Sequence, residues 1–149
     1  MRRIALVATA VGILTITAVS VAAPVGRMAR TTRIQLRGTG AGTILTTAGG
    51  RTIYMFTRDG HNRDRCAAIG GCTAVWPLVT SSARPLAGRG VSPRLLGTIR
   101  VRGARQFTYA GWPLYTYRGD SGPGETAYIG VSQFGGNWYA ISPRGKLVR

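Results

Sequence analysis

The chain has 149 residues, of which 20 are basic and 4 are acidic, and it contains 22 glycines. This length is typical of one domain, and a hydrophobic share of 44% excludes a solvated, disordered chain. The formal net charge of +16 indicates attraction to anionic polymers and anionic membranes.

The first 22 residues are typical of a signal peptide. Arg2 and Arg3 precede an apolar run over residues 4–21, and Ser20 and Ala22 place small residues where a signal peptidase cleaves. We predict a signal peptide over residues 1–22, followed by a linker over 23–32. An uncleaved membrane anchor is the alternative, because the apolar run is barely long enough to span a bilayer. Both predict an extracellular protein. Cleavage removes Arg2 and Arg3, and the remaining 18 basic and 4 acidic residues give a net charge of about +14.

The remaining chain contains the same motif twice. Its members correspond at an offset of 61 or 62 residues: Tyr54 and Tyr115, Phe56 and Tyr117, Asp59 and Asp120, Trp76 and Trp138. Short runs rich in Val, Ile, Thr and aromatics alternate with glycine-containing turns, a pattern typical of strands joined by tight turns. We therefore predict a small all-β domain over residues 33–149. It consists of two pseudo-repeated antiparallel β-meander units of about four short strands each, over about 33–80 and 95–149, packed together.

Each repeat is predicted to follow the same strand order. The predicted strands are 33–37, 43–47, 51–56 and 76–79 in the first repeat, and 97–101, 105–109, 112–117 and 138–141 in the second. In the third strand Ile53 and Met55 point to one face, while Tyr54 and Phe56 point to the other. We predict that the motif rings form an aromatic core between the repeats across a pseudo-twofold axis. An exposed stacking platform for sugars or bases is the alternative.

Two cysteines, Cys66 and Cys72, lie in the exported part of the chain. An even count with short spacing in an oxidising compartment predicts one disulfide. His61 is the only histidine, so a zinc site would lack a fourth protein ligand. We therefore predict neither a metal nor a cofactor.

The two copies of the motif carry a family resemblance. Residues 54–59 and 115–120 both fit Tyr-x-(Phe/Trp/Tyr)-x-x-Asp, and the cysteine pair precedes Trp76 and Pro77. In these features the chain resembles the bacterial secreted repeat family of predicted lipoproteins named for that motif. The resemblance implies a secreted or envelope-anchored protein of unknown function, and it implies no catalytic residues. The chain departs from the family in lacking a lipidation cysteine near the predicted cleavage site.

The motif aspartates, Asp59 and Asp120, each follow a predicted strand. An Asp at this position usually accepts backbone N–H bonds in the turn that ends the strand, so we predict a structural role. The neighbouring Arg58 and Arg118 are expected to pair with them.

Three hypotheses that treat these residues as a functional site are the alternatives. The first is a small extracellular hydrolase that uses Asp59 or Asp120, with His61, on an envelope polymer. The second is the protease-like segment 119–123, but about 120 residues cannot build the two barrels of that protease fold. The third is a calcium loop formed by residues 59–64, whose spacing does not match the known 12-residue loop.

Taken together, the sequence predicts a secreted or envelope-associated β module without enzymatic activity, with a binding or structural role. Nineteen of the 20 basic residues are arginines, whose planar guanidinium suits phosphate geometry. The expected partner is an anionic envelope polymer or an anionic lipid surface. Specific nucleic-acid binding is not expected, because the chain contains no recognisable nucleic-acid motif.

Overall fold

The computed structural model describes residues 32–149, which form ten short strands and very little helix. The strands are β1 (Arg33–Thr39), β2 (Gly42–Thr47), β3 (Tyr54–Phe56), β4 (Leu86–Ala87), β5 (Leu96–Val101), β6 (Ala104–Tyr109), β7 (Trp112–Pro113), β8 (Ser132–Gln133), β9 (Gly136–Ile141) and β10 (Leu147–Val148). A 3₁₀ turn (Cys66–Ala68) and a single helical turn, α1 (Cys72–Val75), lie between β3 and β4. The all-β fold class predicted from the sequence is confirmed.

The predicted signal peptide lies outside the described residues, as does the linker apart from its last residue. Within residues 32–149, no helix is long and apolar enough to cross a membrane.

Tight hairpins start each repeat. β1 pairs with β2 and β5 pairs with β6, both antiparallel, and β4 adds to β1 in parallel. The turns at 102–103, 110–111 and 134–135 each hold two consecutive residues at positive φ, for example 49° at Ala110 and 80° at Gly111. Two-residue loops of this kind match the right-handed twist of the paired strands.

The third strands do not stay within their own repeats. β3 pairs antiparallel with β9 of the second repeat, with Met55 opposite Tyr139. In the second repeat, Tyr115 forms the equivalent bridge to Leu78 of the first. The third strand of each repeat is therefore hydrogen-bonded to the fourth segment of the other, an arrangement that we call the strand exchange.

The pseudo-twofold axis passes between Tyr54 and Tyr115. The backbone N–H of Tyr54 donates to the carbonyl of Tyr115 at 2.9 Å, and the reciprocal bond is 3.0 Å long. The two third strands therefore contact each other at the centre of the molecule, while each one also contacts the other repeat's fourth segment.

The regular strands around this centre are shorter than the predicted ones. Thr52 still bridges Thr46 of β2, but two residues later Tyr54 bridges Tyr115 instead. A strand that changes partner over two residues cannot keep one continuous ladder. In the first repeat the fourth strand is reduced to isolated bridges at Leu78 and Thr80, and the neighbouring Pro77 has no N–H to donate.

Because β3 is buried on both faces, it separates two cores. Ile53 and Met55 contribute to a largely aliphatic core, whereas Tyr54 and Phe56 contribute to an aromatic one. The alternation of faces predicted for this strand is therefore present in the structure. We call the second core the aromatic cluster; its buried members are Tyr54, Phe56, Cys66, Cys72, Trp76, Tyr115 and Trp138.

Candidate functional site

Two stacked tryptophans occupy the middle of the aromatic cluster. The rings of Trp76 and Trp138 are parallel within 1°, and their centroids are 4.0 Å apart. Each indole meets the tyrosine of its own repeat edge-on, Tyr54 at 5.2 Å and Tyr115 at 5.1 Å. Aromatic pairs favour offset-stacked and edge-to-face arrangements of this kind, so the contacts add to the hydrophobic effect of burial.

The second aromatic position of the motif packs across the axis. Phe56 stacks on Trp138 with centroids 4.2 Å apart, and Tyr117 tilts over Trp76 at 4.5 Å. Phe56 is fully buried and Tyr117 is half-buried. Each tryptophan is therefore covered by an aromatic side chain from the other repeat.

The tyrosines and aspartates of the motif also bond crosswise. The Tyr115 hydroxyl donates to Oδ2 of Asp59 at 2.7 Å, and the Tyr54 hydroxyl donates to Oδ1 of Asp120 at 3.1 Å. In both pairs the donor and the acceptor belong to different repeats. One copy of the motif therefore supplies the donor of one bond and the acceptor of the other. Both bonds form only when two copies are present.

The two aspartates are bonded differently. Oδ1 of Asp59 accepts the backbone N–H of Arg65 at 2.8 Å, as predicted for a turn-ending aspartate. Asp120 accepts from the Tyr54 hydroxyl instead, and its buried Oδ2 has no hydrogen-bond partner within residues 32–149.

The expected pairing of the motif aspartates with Arg58 and Arg118 is wrong. Arg58 donates to the carbonyl of Phe134 at 2.9 Å, and the side chain of Arg118 is exposed. The backbone N–H of Arg118 instead bonds the carbonyl of Val75 at 3.0 Å. Both arginines lie next to strand residues whose side chains alternate, so sequence proximity to an aspartate does not direct the guanidinium towards it.

Burial changes the acidity of the motif residues. It raises the pKa of Asp59 to about 6, although bonds from the Arg65 N–H and the Tyr115 hydroxyl act in the opposite direction. Burial likewise raises the pKa of Asp120 to about 6, against the bond from Tyr54. The pKa values of both tyrosines are also raised, first by burial and then by the facing carboxylates, so both hydroxyls remain protonated donors.

The other two acidic residues cap the loops that follow the third strands. Oδ1 of Asp64 accepts the N–H of Ala67 at 2.7 Å, and Oε1 of Glu125 accepts the N–H of Thr126 and of Ala127 at 3.1 Å. Asp64 and Glu125 are 61 residues apart, the offset of the motif. This equivalence is not apparent from residue type, because one residue is Asp and the other Glu, although the shared offset reveals it.

His61 is exposed, and within residues 32–149 its side chain forms no hydrogen bond with either motif aspartate. Its Nδ1 lies 3.2 Å from Nδ2 of Asn62, and its ring packs over Gly111. It lines an open cleft of 440 Å³ whose other residues include Arg94 and no carboxylate. Within residues 32–149, no group of three or more His, Cys, Asp or Glu side chains is arranged to hold a metal ion.

The predicted disulfide between Cys66 and Cys72 is confirmed. The two Cα atoms are 5.4 Å apart, and both side chains are fully buried in the aromatic cluster. The second repeat has no equivalent, since Ala127 stands at the position that corresponds to Cys66. The bond therefore fixes only the first of the two loops.

A protein-family model described as a secreted repeat of unknown function matches the chain twice, over residues 38–80 and 98–142. Each match falls within one of the two repeats, and together they cover more than half of the chain. No curated protein and no solved structure matches it.

Proposed function

Because the chain belongs to the family described as a secreted repeat of unknown function, we propose that it is a non-enzymatic β module that binds anionic polymers of the cell envelope. The observation that carries this proposal is that all four acidic side chains accept hydrogen bonds within the fold. Three of them accept backbone N–H bonds, and Asp120 accepts from Tyr54. All four stabilise the loops and the centre of the fold.

The basic side chains are distributed differently. Within residues 32–149, no carboxylate forms an ion pair with them, and most of them are exposed. Exposed arginines occur in both repeats and in the connection between them, at Arg33, Arg37, Arg51, Arg58, Arg63, Arg65, Arg84, Arg89, Arg94, Arg100, Arg102, Arg118, Arg144 and Arg149. A surface with this excess of one charge attracts polyanions before any specific contact forms.

A salt titration tests the proposal. The secreted protein should bind an anionic envelope polymer at about 50 mM salt, and its affinity should fall steeply towards about 200 mM as counterion release requires. An uncharged polysaccharide of similar length is the matched control and should not bind. If the protein binds no polyanion at low salt, the proposal that it binds anionic polymers is wrong.

In this proposal the duplicated motif has a structural role, and the crosswise contacts support it. Tyr54, Tyr115, Trp76 and Trp138 are fully buried, so their faces are not accessible to sugar rings or bases. The motif would then be retained because it joins the two repeats, while ligand binding is left to the surface.

A hydrolase is the second candidate, and the raised pKa values of Asp59 and Asp120 are the observation in its favour. A carboxyl with a pKa of about 6 is suited to general acid catalysis near neutral pH. Incubation with purified envelope polymers, for the wild type and for Asp59→Asn and Asp120→Asn, tests this candidate. We expect no turnover by the wild type; turnover that both variants abolish while remaining folded would establish the enzyme instead.

A further inference from the structure

Three neighbouring clefts that share lining residues lie along the β5–β6 hairpin, beside residues 80–87. The middle one, a cleft of 230 Å³, is lined by Arg84, Thr98, Arg100 and Arg105. A cleft of 330 Å³ on one side shares Arg84 and Thr98 with it, and a cleft of 380 Å³ on the other side shares Arg100 and Arg105. We call the three together the arginine groove.

Among the described residues 32–149, no carboxylate lines any part of the arginine groove. The four acidic side chains of the chain are Asp59, Asp64, Asp120 and Glu125, and all of them follow the third strands of the repeats. Negative charge is thus concentrated at the loops that follow the third strands. Within the described part of the chain, the three guanidinium groups of the arginine groove have no carboxylate beside them in the groove to balance their charge. A cleft lined by one sign of charge raises the local concentration of oppositely charged ligands.

Two of these arginines are placed where they repel each other. Arg100 and Arg105 are directly opposite in the β5–β6 hairpin, and like charges in such a cross-strand pair destabilise a sheet. Within residues 32–149 each guanidinium has one hydrogen bond, from Arg100 to the carbonyl of Gly103 at 3.4 Å and from Arg105 to the carbonyl of Ser82 at 3.3 Å. Because a guanidinium has five N–H donors, most of them remain available to a ligand.

Resting on the anionic-polymer function above, we propose that the arginine groove is the binding site and that its ligand is a linear phosphodiester polymer without nucleobases. Guanidinium groups bind phosphate oxygens in a bidentate manner, and three along one groove suit repeated phosphates. Thr80, Ser82 and Thr98, whose side chains carry hydroxyl groups, also line the arginine groove.

The lining of the groove argues against a nucleic acid. Proteins that bind single strands stack successive bases on exposed aromatic rings. In the part of the chain that the structure describes, no aromatic residue lines the arginine groove, and the rings of the aromatic cluster are buried. The ligand is therefore recognised by its phosphates, and the family's secreted character places the protein where envelope polymers occur.

Two matched triple variants test the site. Arg84→Gln/Arg100→Gln/Arg105→Gln removes the three charges of the groove. Arg63→Gln/Arg118→Gln/Arg144→Gln removes three exposed charges that line none of its clefts. Both variants lower the net charge equally, so any difference between them is due to position. Binding of a fluorescent poly(glycerol phosphate) oligomer is measured by polarisation between about 50 and 200 mM salt.

We expect the groove variant to bind at least about tenfold more weakly at low salt, and the control variant to lose less than about threefold. The slope of log affinity against log salt should fall by about 2 in the groove variant, at roughly 0.7 per phosphate contact. The groove variant should melt no lower than the wild type because it lacks the repulsive pair, which excludes misfolding as the cause of weaker binding.

Three outcomes overturn the proposal in different ways. Equal weakening of both variants places binding on the whole surface, and the proposed function then stands without the groove. Tighter binding of a single-stranded RNA oligomer, or of phosphatidylglycerol vesicles, with the same dependence on the groove identifies a different ligand. No binding by the wild type at about 50 mM salt removes both the groove and the proposed function.

Discussion

Replacing Tyr115 with Phe should weaken the fold through a single hydrogen bond. The substitution keeps the ring and its edge-to-face contact with Trp138, and it removes only the hydroxyl that donates to Oδ2 of Asp59 at 2.7 Å. Tyr115 is fully buried and Asp59 is 7% exposed, so water does not readily replace the lost donor. A hydrogen bond to a charged group typically contributes about 1.5 to 3 kcal/mol to the free energy of unfolding.

This loss can be converted into a melting temperature. At about 2.1 cal/mol/K per residue, a domain of about 120 residues has an unfolding entropy near 0.25 kcal/mol/K. The Tm of the Tyr115→Phe variant should therefore fall by roughly 6 to 12 °C at pH 8, measured by calorimetry or circular dichroism. Tyr139→Phe is the matched control, since this half-buried tyrosine contacts the aliphatic core and its hydroxyl has no hydrogen bond within residues 32–149.

The dependence on pH separates this bond from general loss of packing. Since the pKa of Asp59 is about 6, its carboxyl is ionised at pH 8 and mostly protonated at pH 5. A bond between neutral groups contributes only about 0.5 to 1.5 kcal/mol, so the destabilisation should be smaller at pH 5. An equal decrease in Tm at both pH values, or a decrease matched by Tyr139→Phe, would refute the reasoning.

The double variant Asp59→Asn/Asp120→Asn should flatten the pH dependence of stability. In the wild type the native pKa values of about 6 lie above the unfolded value of 3.8, so these groups favour the folded state most below about pH 4, and this contribution is lost as pH rises through 6. At about 1.4 kcal/mol per pKa unit, the loss is on the order of 2 kcal/mol per carboxyl group after solvent screening. Denaturant titrations from pH 4 to 8 measure this loss. Identical profiles of unfolding free energy against pH for the variant and the wild type would contradict it. Cys66→Ala/Cys72→Ala should lower the free energy of unfolding by about 2 kcal/mol through loss of a short loop constraint, and a reduced wild type should show the same loss. The fragments 32–89 and 90–149 should each lack a cooperative melting transition alone and regain one when mixed, because the strand exchange leaves each without partners; cooperative melting of either fragment by itself would argue against this.

Much of the fold was predictable because the relevant signals are local. Glycine-containing turns at 102–103 and 110–111 predicted the hairpins, and alternation in residues 53–56 predicted which side chains share a face. Cys66 and Cys72 were predictable as a disulfide because they are the only cysteines in an exported chain.

The partners of the third strands were not predictable in the same way. Alternation tells which face a residue occupies, but it does not tell which strand lies beside it. The crosswise bonds from Tyr115 to Asp59 and from Tyr54 to Asp120 depend on that pairing, so the sequence predicted aspartates bonded within their own turns. A strand with apolar residues on both faces must be covered by other elements on both faces. The apolar run 53–56 was therefore the available sign that β3 would be central.

The strand exchange also bears on how such a chain arises. A chain with a single repeat contains half of a closed unit, because its third strand and its motif aspartate both need a second copy. Two identical chains of that kind would close the same centre as a symmetric homodimer, with Trp76 stacked on its own copy. Gene duplication and fusion would join the two halves permanently and allow each to diverge, as the disulfide in one loop and Glu125 in the other illustrate. Repeats of this type are therefore expected in pairs, and a chain with an odd number of them is expected to associate with another copy.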